Sequence, residues 1–366
     1  MTKIKDVISH LETIAPTSYQ ESYDNSGLLT GNKEDEVKGV LISLDCTEAV
    51  VEEAIAKKCN LIVSHHPIIF NGLKTLTGKN YVERTVIKAI QNNMALYAIH
   101  TNLDNVSVGV NYKFAQLLGL KNISILSPKP NTLTKLVSFV PHDSVDLVLQ
   151  ALYSAGAGTI GNYSECSFSS EGTGSFTPND NANPTIGYKG NAEQVNEVRI
   201  EVLLPNHKVQ DVVNALRKSH PYEEVAYYLT SLDNENQEIG AGIIGELETS
   251  TSTNEFLKLL KEKMQLEVIK HTNGFTGKIK KIALCGGSGS FLLKTAIGAK
   301  ADAYVSADFK YHEYFDAENH LMVCDIGHYE SEVSTKGLLY DILSKKFSNF
   351  ALNLSEIVTN PISYFK

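Results

Sequence analysis

Two stretches of the sequence that lie far apart in the chain share a strand–helix–strand pattern. Residues 40–64 and 282–306 each begin with an apolar run, carry Ala-Ile at matching positions of a helical segment, and end in a second apolar run followed by serine. This order of elements is typical of a parallel α/β unit. The match therefore predicts one α/β domain, built with pseudo-twofold symmetry from the N- and C-terminal parts of the chain.

A different repeat lies between these two parts. Residues 141–152 and 205–216 carry proline, two valines and an Ala-Leu pair at the same spacing, and each segment continues a strand as an amphipathic helix. A further strand is expected after each helix, at 164–168 and 225–229. Two such β-α units with additional strands predict a ferredoxin-like domain. The stretch from 156 to 190 is rich in glycine, serine, asparagine and proline, and it is typical of a long loop.

The ends of this middle segment are marked by proline and by polar residues. Ser-Pro-Lys-Pro-Asn occupies 127–131, and Asp-Asn-Glu-Asn occupies 233–236. A chain of 366 residues has room for two or three domains. We therefore expect an α/β domain formed by residues 1–128 and 237–366, with residues 129–236 inserted into it as a ferredoxin-like α+β domain.

The composition is that of a globular protein with a substantial core, since 42% of the residues are hydrophobic and 20% are charged. A net charge of −9 argues against general nucleic-acid binding, which needs a basic surface. Residues 4–14 form an amphipathic pattern rather than a signal peptide, and no apolar run approaches the roughly 18 residues that span a bilayer. The five cysteines, an odd number without close pairs, favour reduced thiols. These features predict a cytoplasmic protein without a membrane partner.

Histidines and carboxylates follow the predicted strands that end at residues 64, 99 and 326. These residues are His65, His66, His100, Asp104, His328 and Glu332. A helix that begins near Gly327 would put His328 and Glu332 on one face, whereas the segment after His100 resembles a loop. Taken singly, the His65-His66 pair is equally compatible with histidines that cap a strand, and the spacing of His328 and Glu332 favours a solvated helix face. Together, at strand ends that meet at one edge of a sheet, they favour a metal site.

The ligand set determines which metals and which chemistry fit. Imidazole and carboxylate without thiolate suit zinc, iron, manganese, cobalt or nickel, of which we expect zinc, whereas calcium prefers oxygen ligands alone. Glu332 is placed to bridge two ions about 3.5–4 Å apart, and such a pair activates water. The residues therefore predict two divalent metal ions per subunit and a hydrolytic reaction.

Three weaker motifs leave alternatives open. The Gly-rich turn at 285–290 either presents amides to an anion at a helix N-terminus or is a tight strand-to-helix turn. In the segment 308–312, the correspondence between the two halves predicts that Lys310 or His312 contacts the substrate or moves a proton, although a polar helix start explains it too. The segment 220–224, His-Pro-Tyr-Glu-Glu, is either a site of the middle domain or a turn, and the lack of an apparent partner cluster favours the turn.

Ordered motifs over almost the full length give the chain a family resemblance. They are Asp24-Asn25-x-Gly27-Leu28, Ser64-His65-His66-Pro67, His100-Thr-Asn-Leu-Asp104, His220-Pro221-Tyr222-Glu223-Glu224, Gly245-Glu246-Leu247, Gly286-Gly287-x-Gly289, Lys310-Tyr-His312 and Gly327-His328-x-x-x-Glu332. With these motifs the chain resembles the GTP cyclohydrolase I type 2 homolog family, also called the Nif-three-like proteins. The resemblance implies a dinuclear metal site with the ligands His65, His66, Asp104, His328 and Glu332, of which Glu332 bridges the ions. It puts His100 beside the site, whereas spacing alone ranks His100 with the ligands.

The resemblance also implies an activity and an assembly. The family is named for a GTP cyclohydrolase reaction, in which water opens the imidazole ring of guanine to give formate and 7,8-dihydroneopterin triphosphate. His100 or His312 would then transfer protons. Members form toroidal homohexamers, and longer bacterial forms carry an inserted domain similar to PII and CutA proteins. Two positions depart from the pattern: Tyr23 stands where tryptophan is usual, and Ile243 stands where arginine is frequent, which weakens any phosphate contact by that strand.

We therefore expect a homo-oligomeric, metal-dependent hydrolase that acts on a small molecule, with a nucleotide as the first candidate. Two rival functions fit the same residues. One is a metal-dependent phosphohydrolase or amidohydrolase that acts on another substrate. The other is a non-catalytic metal-binding regulatory protein whose inserted domain senses a ligand or a partner.

Overall fold

The structure, a computed structural model, describes residues 1–365 and divides them into two compact units. The larger unit combines Met1–Pro128 with the segment that begins at Gln237, and the smaller unit is Lys129–Asn236. No helix in the described part of the chain has both the length and the apolar character that crossing a bilayer requires.

The chain alternates between strands and helices through most of its length. The strands are β1 Gly27–Thr30, β2 Gly39–Ser43, β3 Leu61–Ser64, β4 Ala95–Ala98, β5 Lys121–Pro128, β6 Leu133–Pro141, β7 Ser167–Phe176, β8 Glu193–Pro205, β9 Tyr227–Leu232, β10 Gly240–Thr251, β11 Lys270–His271, β12 Ile279–Ser288, β13 Ala303–Ala307, β14 Met322–Asp325 and β15 Ala351–Leu354. The α-helices are α1 Ile4–Ile14, α2 Glu48–Ala56, α3 Tyr81–Gln91, α4 Thr101–Asp104, α5 Val110–Leu117, α6 Val145–Ser154, α7 Val209–Ser219, α8 Thr253–Lys263, α9 Leu293–Gly298, α10 His328–Glu332 and α11 Thr335–Lys346.

The first sheet of the larger unit has the strand order β1-β4-β3-β2-β15. Strands β2, β3 and β4 are parallel neighbours, and β1 is antiparallel to β4. Ile42 and Val63 face a core that includes α1 and α11, whereas Leu41 and Ile62 face a second core under α2 and α3. Helices thus cover both faces, which explains why β2, β3 and β4 are buried at every position and almost entirely apolar. The predicted amphipathic helix over residues 4–14 is confirmed as α1.

The second sheet of the larger unit has the order β11-β14-β13-β12-β10-β5. Here β12, β13 and β14 are the parallel neighbours, and β10 is antiparallel to both β12 and β5. Leu284 and Val305 pack with Phe114 of α5 and Phe256 of α8. Both stretches of the sequence match, 40–64 and 282–306, therefore contain the predicted strand, helix and strand, and the larger unit is a mixed α/β structure.

Polar residues fix the starts of the connecting helices. The side chains of Thr47 and Asn80 accept hydrogen bonds from the backbone in the first turns of α2 and α3. Ser252 and Glu255 form a capping box at the start of α8. Such caps stabilise a helix by about 1 kcal/mol each and set where each strand–helix connection ends.

The smaller unit contains a sheet with the order β7-β8-β6-β9, in which all pairs are antiparallel. Helices α6 and α7 cover one face through Leu152 and Leu216, which lie in one core with Leu136 and Ile200. The prediction of a loop from 156 to 190 was wrong for its central part, because β7 pairs with β8 along its whole length. This edge strand is exposed on both faces, so its Ser- and Gly-rich sequence lacks the apolar alternation that reveals a strand.

Candidate metal centre

His65 and His66 lie where β3 ends, and their backbone still pairs with the end of β2. The amide of His65 donates to the Ser43 carbonyl oxygen (3.2 Å), and the amide of His66 donates to that of Leu44 (2.9 Å). The His65 side chain is fully buried, and that of His66 is 20% exposed. The pairing therefore holds both imidazoles in place at the carboxyl edge of the sheet.

His100 and Asp104 lie at the two ends of α4, a single helical turn after β4. The expectation of a loop here was wrong, because Asn102 stabilises the turn. Its side-chain oxygen accepts a hydrogen bond from the His100 amide (2.9 Å), and its Nδ2 donates to the Ala15 carbonyl oxygen (2.7 Å). The turn brings Asp104 Oδ1 to 3.6 Å from His65 Nε2.

His328 and Glu332 come from the C-terminal part of the chain, on α10. The predicted helix start near Gly327 is confirmed, since Gly327 is the N-cap and has a φ of 91°. Glu332 Oε2 lies 3.1 Å from His328 Nε2 and 3.0 Å from His66 Nε2. The helical spacing of four residues therefore puts an imidazole and a carboxylate against the histidines of β3.

The Gly-rich end of β12 makes room for Glu332. Gly287 has a φ of +61°, and a Cβ atom there would lie 2.3 Å from Glu332 Oε1. The amide of Gly286 donates to Asn111 Oδ1 (2.8 Å), and that of Gly287 donates to Ser331 Oγ (2.9 Å). Because both amides are already engaged, the tight-turn interpretation of this motif is favoured over the anion cradle.

Each imidazole of the cluster directs Nδ1 outward and Nε2 inward. The Nδ1 partners are the Ile99 carbonyl oxygen for His65 (2.9 Å), Asp45 for His66 (2.7 Å), Asp24 for His100 (2.8 Å) and Asp308 for His328 (2.6 Å). An Nδ1–H that donates to such an acceptor leaves the Nε2 lone pair free. The same arrangement orients metal-binding histidines in proteins and raises their basicity.

Several inward-facing polar atoms have no hydrogen-bond partner among the described residues. They include His65 Nε2 and Asp104 Oδ1, both of which are buried. Glu332 Oε2, also buried, faces Nε2 of both His66 and His328, at 3.0 and 3.1 Å. Potential ligand atoms within 4.8 Å of one another form three overlapping groups, which are His65-His66-His100, His66-His328-Glu332 and His65-Asp104-Glu332. Buried polar atoms are normally paired, and a divalent cation would satisfy these atoms together. The buried His/Glu groups therefore fit a bound metal ion.

Burial and neighbouring charges shift the pKa values of the cluster in opposite directions. Burial lowers the pKa of His65 to about 3, which keeps its imidazole neutral. Burial also acts to lower the pKa of His66, but hydrogen bonds with Asp45 and Glu332 outweigh it and raise that pKa to about 9. For Glu332, hydrogen bonds from His328 and His66 overcome the effect of burial and hold the pKa well below its usual value. Burial, reinforced by the charge of Glu332, raises the pKa of Asp104 well above its usual value.

Lys310 and His312 lie outside this cluster. Both are exposed, and His312 packs beside the rings of Tyr311 and Phe315 on a 3-10 helix, Tyr311–Ala317. Neither is among the described residues that line the cavity over the cluster. The residue of this segment that contacts the cluster is Asp308, through His328.

Three outer carboxylates, which accept hydrogen bonds from Nδ1 of the histidines, were not predicted from the sequence to have a role in the site. They are Asp24, Asp45 and Asp308. Asp45 could have been found, because it follows β2 as the histidines follow β3, and the strand-end argument applies equally to both. Asp24 is part of a family motif but lies far in sequence from His100. Its pKa is held well below its usual value because hydrogen bonds from His100 and Thr101 outweigh burial.

A cavity of about 730 Å³ opens over the cluster. Its lining includes the ligand candidates His66, Asp104, His328 and Glu332, together with His100. Aromatic side chains form part of its wall, namely Tyr23, Phe70, Phe291 and Tyr329. The arrangement can hold a small molecule against metal ions and against an imidazole that is oriented for proton transfer.

Comparison with known proteins assigns the family. Residues 2–361 match the model of Duf34/NIF3 (NGG1p interacting factor 3). A protein of Halalkalibacterium halodurans named "GTP cyclohydrolase 1 type 2 homolog" is 39% identical over 363 residues, covering 98% of each chain. The Bacillus subtilis protein of the same name is 37% identical over 365 residues, again with 98% of each chain covered.

A solved structure agrees with these sequence matches. The crystal structure of a Bacillus cereus protein related to NIF3 superimposes with a TM-score of 0.87 at 36% identity, covering 100% of this chain and 99% of the other. The family resemblance seen in the sequence motifs is thereby confirmed. The chain belongs to the Duf34/NIF3 family.

Proposed function

We propose that the protein is a hydrolase whose centre holds two divalent metal ions bridged by Glu332. The observation that carries the proposal is the convergence of inward-facing Nε2 atoms and carboxylate oxygens in one cluster, in which the buried His65 Nε2 and Asp104 Oδ1 have no hydrogen-bond partner among the described residues. Structural histidines at a strand end would instead form hydrogen bonds with protein partners through both ring nitrogens. The volume of the cavity above them, about 730 Å³, supports a reaction on a small molecule rather than a purely structural site.

The ligand groups divide naturally into two sets that have Glu332 in common. His65, Asp104 and Glu332 form one set, and His66, His328 and Glu332 form the other. This division supports the bridging role of Glu332 and matches the ligand set that the family resemblance implies. Imidazole and carboxylate ligands favour zinc, with iron, manganese or cobalt as alternatives.

When bound, such ions supply an activated water and a Lewis acid for hydrolysis. The chain itself contributes His100, whose Nδ1 is fixed by Asp24 at 2.8 Å and whose ring borders those of His65 and His66. That hydrogen bond orients Nε2 toward the cavity, where it can accept a proton from the attacking water or donate one to a leaving group. We therefore assign His100 to proton transfer, although it also belongs to a potential ligand group.

The leading candidate reaction is the hydrolytic opening of a purine ring, of the GTP cyclohydrolase type. It is supported by the printed name of the relatives, "GTP cyclohydrolase 1 type 2 homolog". Hydrolysis of a phosphate ester or an amide is the alternative on the same centre. The remaining alternative is a non-catalytic regulatory protein that binds metal.

The organisation of the subunit belongs to the proposal as well. The element order β6-α6-β7-β8-α7-β9 of the smaller unit supports a ferredoxin-like insertion. The parallel trios β2-β3-β4 and β12-β13-β14 support a pseudo-twofold relationship between the two sheets of the larger unit. A toroidal homohexamer and a cytoplasmic location rest on the family resemblance and on the composition.

The test is turnover of GTP by metal-reconstituted protein, followed as formate and as fluorescent pterin. We expect product that requires metal, that is lost in Glu332→Gln, and that persists in the matched control Glu356→Gln. Glu356 is an exposed surface residue paired with Lys57. Absence of product from fully metallated protein would contradict the leading reaction, and a panel of phosphate esters and amides would then distinguish the alternative hydrolase from a regulatory protein.

A further inference from the structure

We propose that the cavity over the metal centre selects a planar, uncharged heterocycle and makes no provision for a triphosphate. The inference rests on the proposed function, because the reacting ring must lie against the metal ligands at the floor of the cavity. The remainder of a nucleotide would then extend along the walls. What those walls offer therefore decides which substrate class fits.

The walls carry negative rather than positive charge. None of the described residues that line the cavity is a lysine or an arginine, whereas its lining includes Glu21 and Asp45 in addition to the carboxylates of the centre. Triphosphates are bound in proteins by lysine or arginine side chains and by clusters of free backbone amides. The cavity lacks the first of these among its described residues.

The bound metal ions would not reverse this balance. Five carboxylates contact the histidines of the cluster, namely Asp104, Glu332, Asp24, Asp45 and Asp308. Two divalent ions carry four positive charges, which these carboxylates match or exceed. A triphosphate chain would therefore meet no net attraction along the cavity.

Four amide donors at or beside the cavity are committed to protein partners. The backbone amides of Gly286 and Gly287 donate to Asn111 and Ser331. Among the lining side-chain amides, Asn105 donates to the Tyr19 carbonyl oxygen and Asn360 donates to Glu330. The amides of these two glycines at the end of β12 are therefore not available to phosphate oxygens.

Aromatic rings form part of the cavity wall, where positively charged side chains are absent among the described lining residues. The ring centroids of His66 and His100 are 5.2 Å apart, those of His100 and Phe70 are 6.2 Å apart, and those of Phe70 and Tyr23 are 6.3 Å apart. This row leads from a metal-ligand candidate toward the solvent. Phe70 is 44% exposed and Tyr23 is 64% exposed, while Phe291 of the same cavity is 67% exposed. Exposed aromatic faces beside a polar centre suit the stacking of a planar ring.

The experiment compares guanosine with GTP as probes on the full-length, zinc-loaded protein, by equilibrium dialysis at two salt concentrations. Zinc content is measured before and after each titration, because GTP also binds metal in solution. We expect guanosine to bind at least as tightly as GTP. We expect Phe70→Leu to weaken guanosine binding roughly five- to hundredfold without loss of zinc, as removal of a stacking ring does. Tyr81→Leu, an exposed aromatic on α3 outside the cavity, is the matched control and should bind normally.

The outcomes separate this inference from the proposed function. GTP binding at least tenfold tighter than guanosine, with a steep loss on adding salt, would overturn the inference and leave the metal centre intact. Zinc-loaded protein that binds neither probe would also overturn it. Protein that takes up no zinc would instead contradict the proposed function itself. If Phe70→Leu does not fold, Phe291→Leu provides the same comparison, because that side chain is even more exposed.

Discussion

Glu332 Oε2 lies 3.0 Å from Nε2 of His66, although the two residues come from opposite ends of the chain. His66 follows β3 of the first sheet, and Glu332 ends α10, which follows β14 of the second sheet. The contact joins the carboxyl ends of two sets of parallel strands, where open α/β sheets bind their ligands. The account of the metal centre depends on this contact and on the outer carboxylates that orient the histidines.

The first prediction concerns Asp45, which accepts the hydrogen bond from His66 Nδ1 and is itself hydrogen-bonded by Thr359. Asp45→Asn keeps the size of the side chain but removes its charge. We expect metal affinity to fall about 10- to 100-fold, as it does when outer partners of metal-binding histidines are changed. Competition with a chromogenic chelator measures this loss. Asp341→Asn, which alters an exposed ion pair with Lys113, should leave the affinity unchanged, and an equal loss in both variants would contradict the role of Asp45.

The sequence left two roles open for His100, proton transfer and metal binding. If its role is proton transfer, His100→Ala should reduce turnover at least about 100-fold while metal content stays near that of the native protein. If it is a ligand, metal content should fall as well. Elemental analysis and turnover of the same preparation make the distinction. Loss of metal in proportion to activity would move His100 into the ligand shell.

Gly287 links backbone conformation to the bridging carboxylate. Gly287→Ala introduces a Cβ at 2.3 Å from Glu332 Oε1 in a left-handed conformation, so Glu332 must move. We expect the free energy of unfolding to fall by about 1–3 kcal/mol, together with weaker metal binding. Thermal and chelator titrations report the two effects. Gly298→Ala is the matched control, because it meets no atom within 4 Å, and it should change stability by at most about 1 kcal/mol. Equal behaviour of the two variants would show that the turn does not constrain Glu332.

The inserted unit provides a test of the ligand assignment. All ligand candidates lie in the larger unit, and Pro128 pairs with Gly240 in neighbouring antiparallel strands, so a short linker can replace residues 129–236. We expect the shortened protein to fold and to bind metal with the stoichiometry of the full chain. Circular dichroism and elemental analysis provide the readouts. A folded protein without metal would mean that the ligand set is incomplete.

Much of the site could be predicted because it follows a local rule. His65 and His66 end an apolar strand, and His328 and Glu332 are four residues apart after a glycine that caps their helix. Strand ends and helical spacing are visible in one sequence. The same rule, applied to β2, would have included Asp45.

Other features depend on contacts that a single sequence does not reveal. The correspondence between the halves placed Lys310 and His312 toward the site, but Asp308 adopts a φ of 57° and the chain then enters a 3-10 helix that is exposed. The partner of His100 is Asp24, which lies on an irregular segment before β1. The strand predicted at 164–168 overlaps only the first two residues of β7, and the rest of β7 escaped prediction because an exposed edge strand needs no apolar residues, only a neighbour with free backbone groups.

The most direct test of the metal centre is anomalous X-ray scattering from crystals of zinc-loaded protein, collected for the native chain and for Glu332→Gln. We expect two anomalous peaks about 3.5–4 Å apart in the native protein, one beside His65 and Asp104 and the other beside His66 and His328. We also expect both peaks to weaken sharply in Glu332→Gln. Native crystals without a peak in this cluster, or peaks that are unchanged in Glu332→Gln, would contradict a metal centre bridged by Glu332.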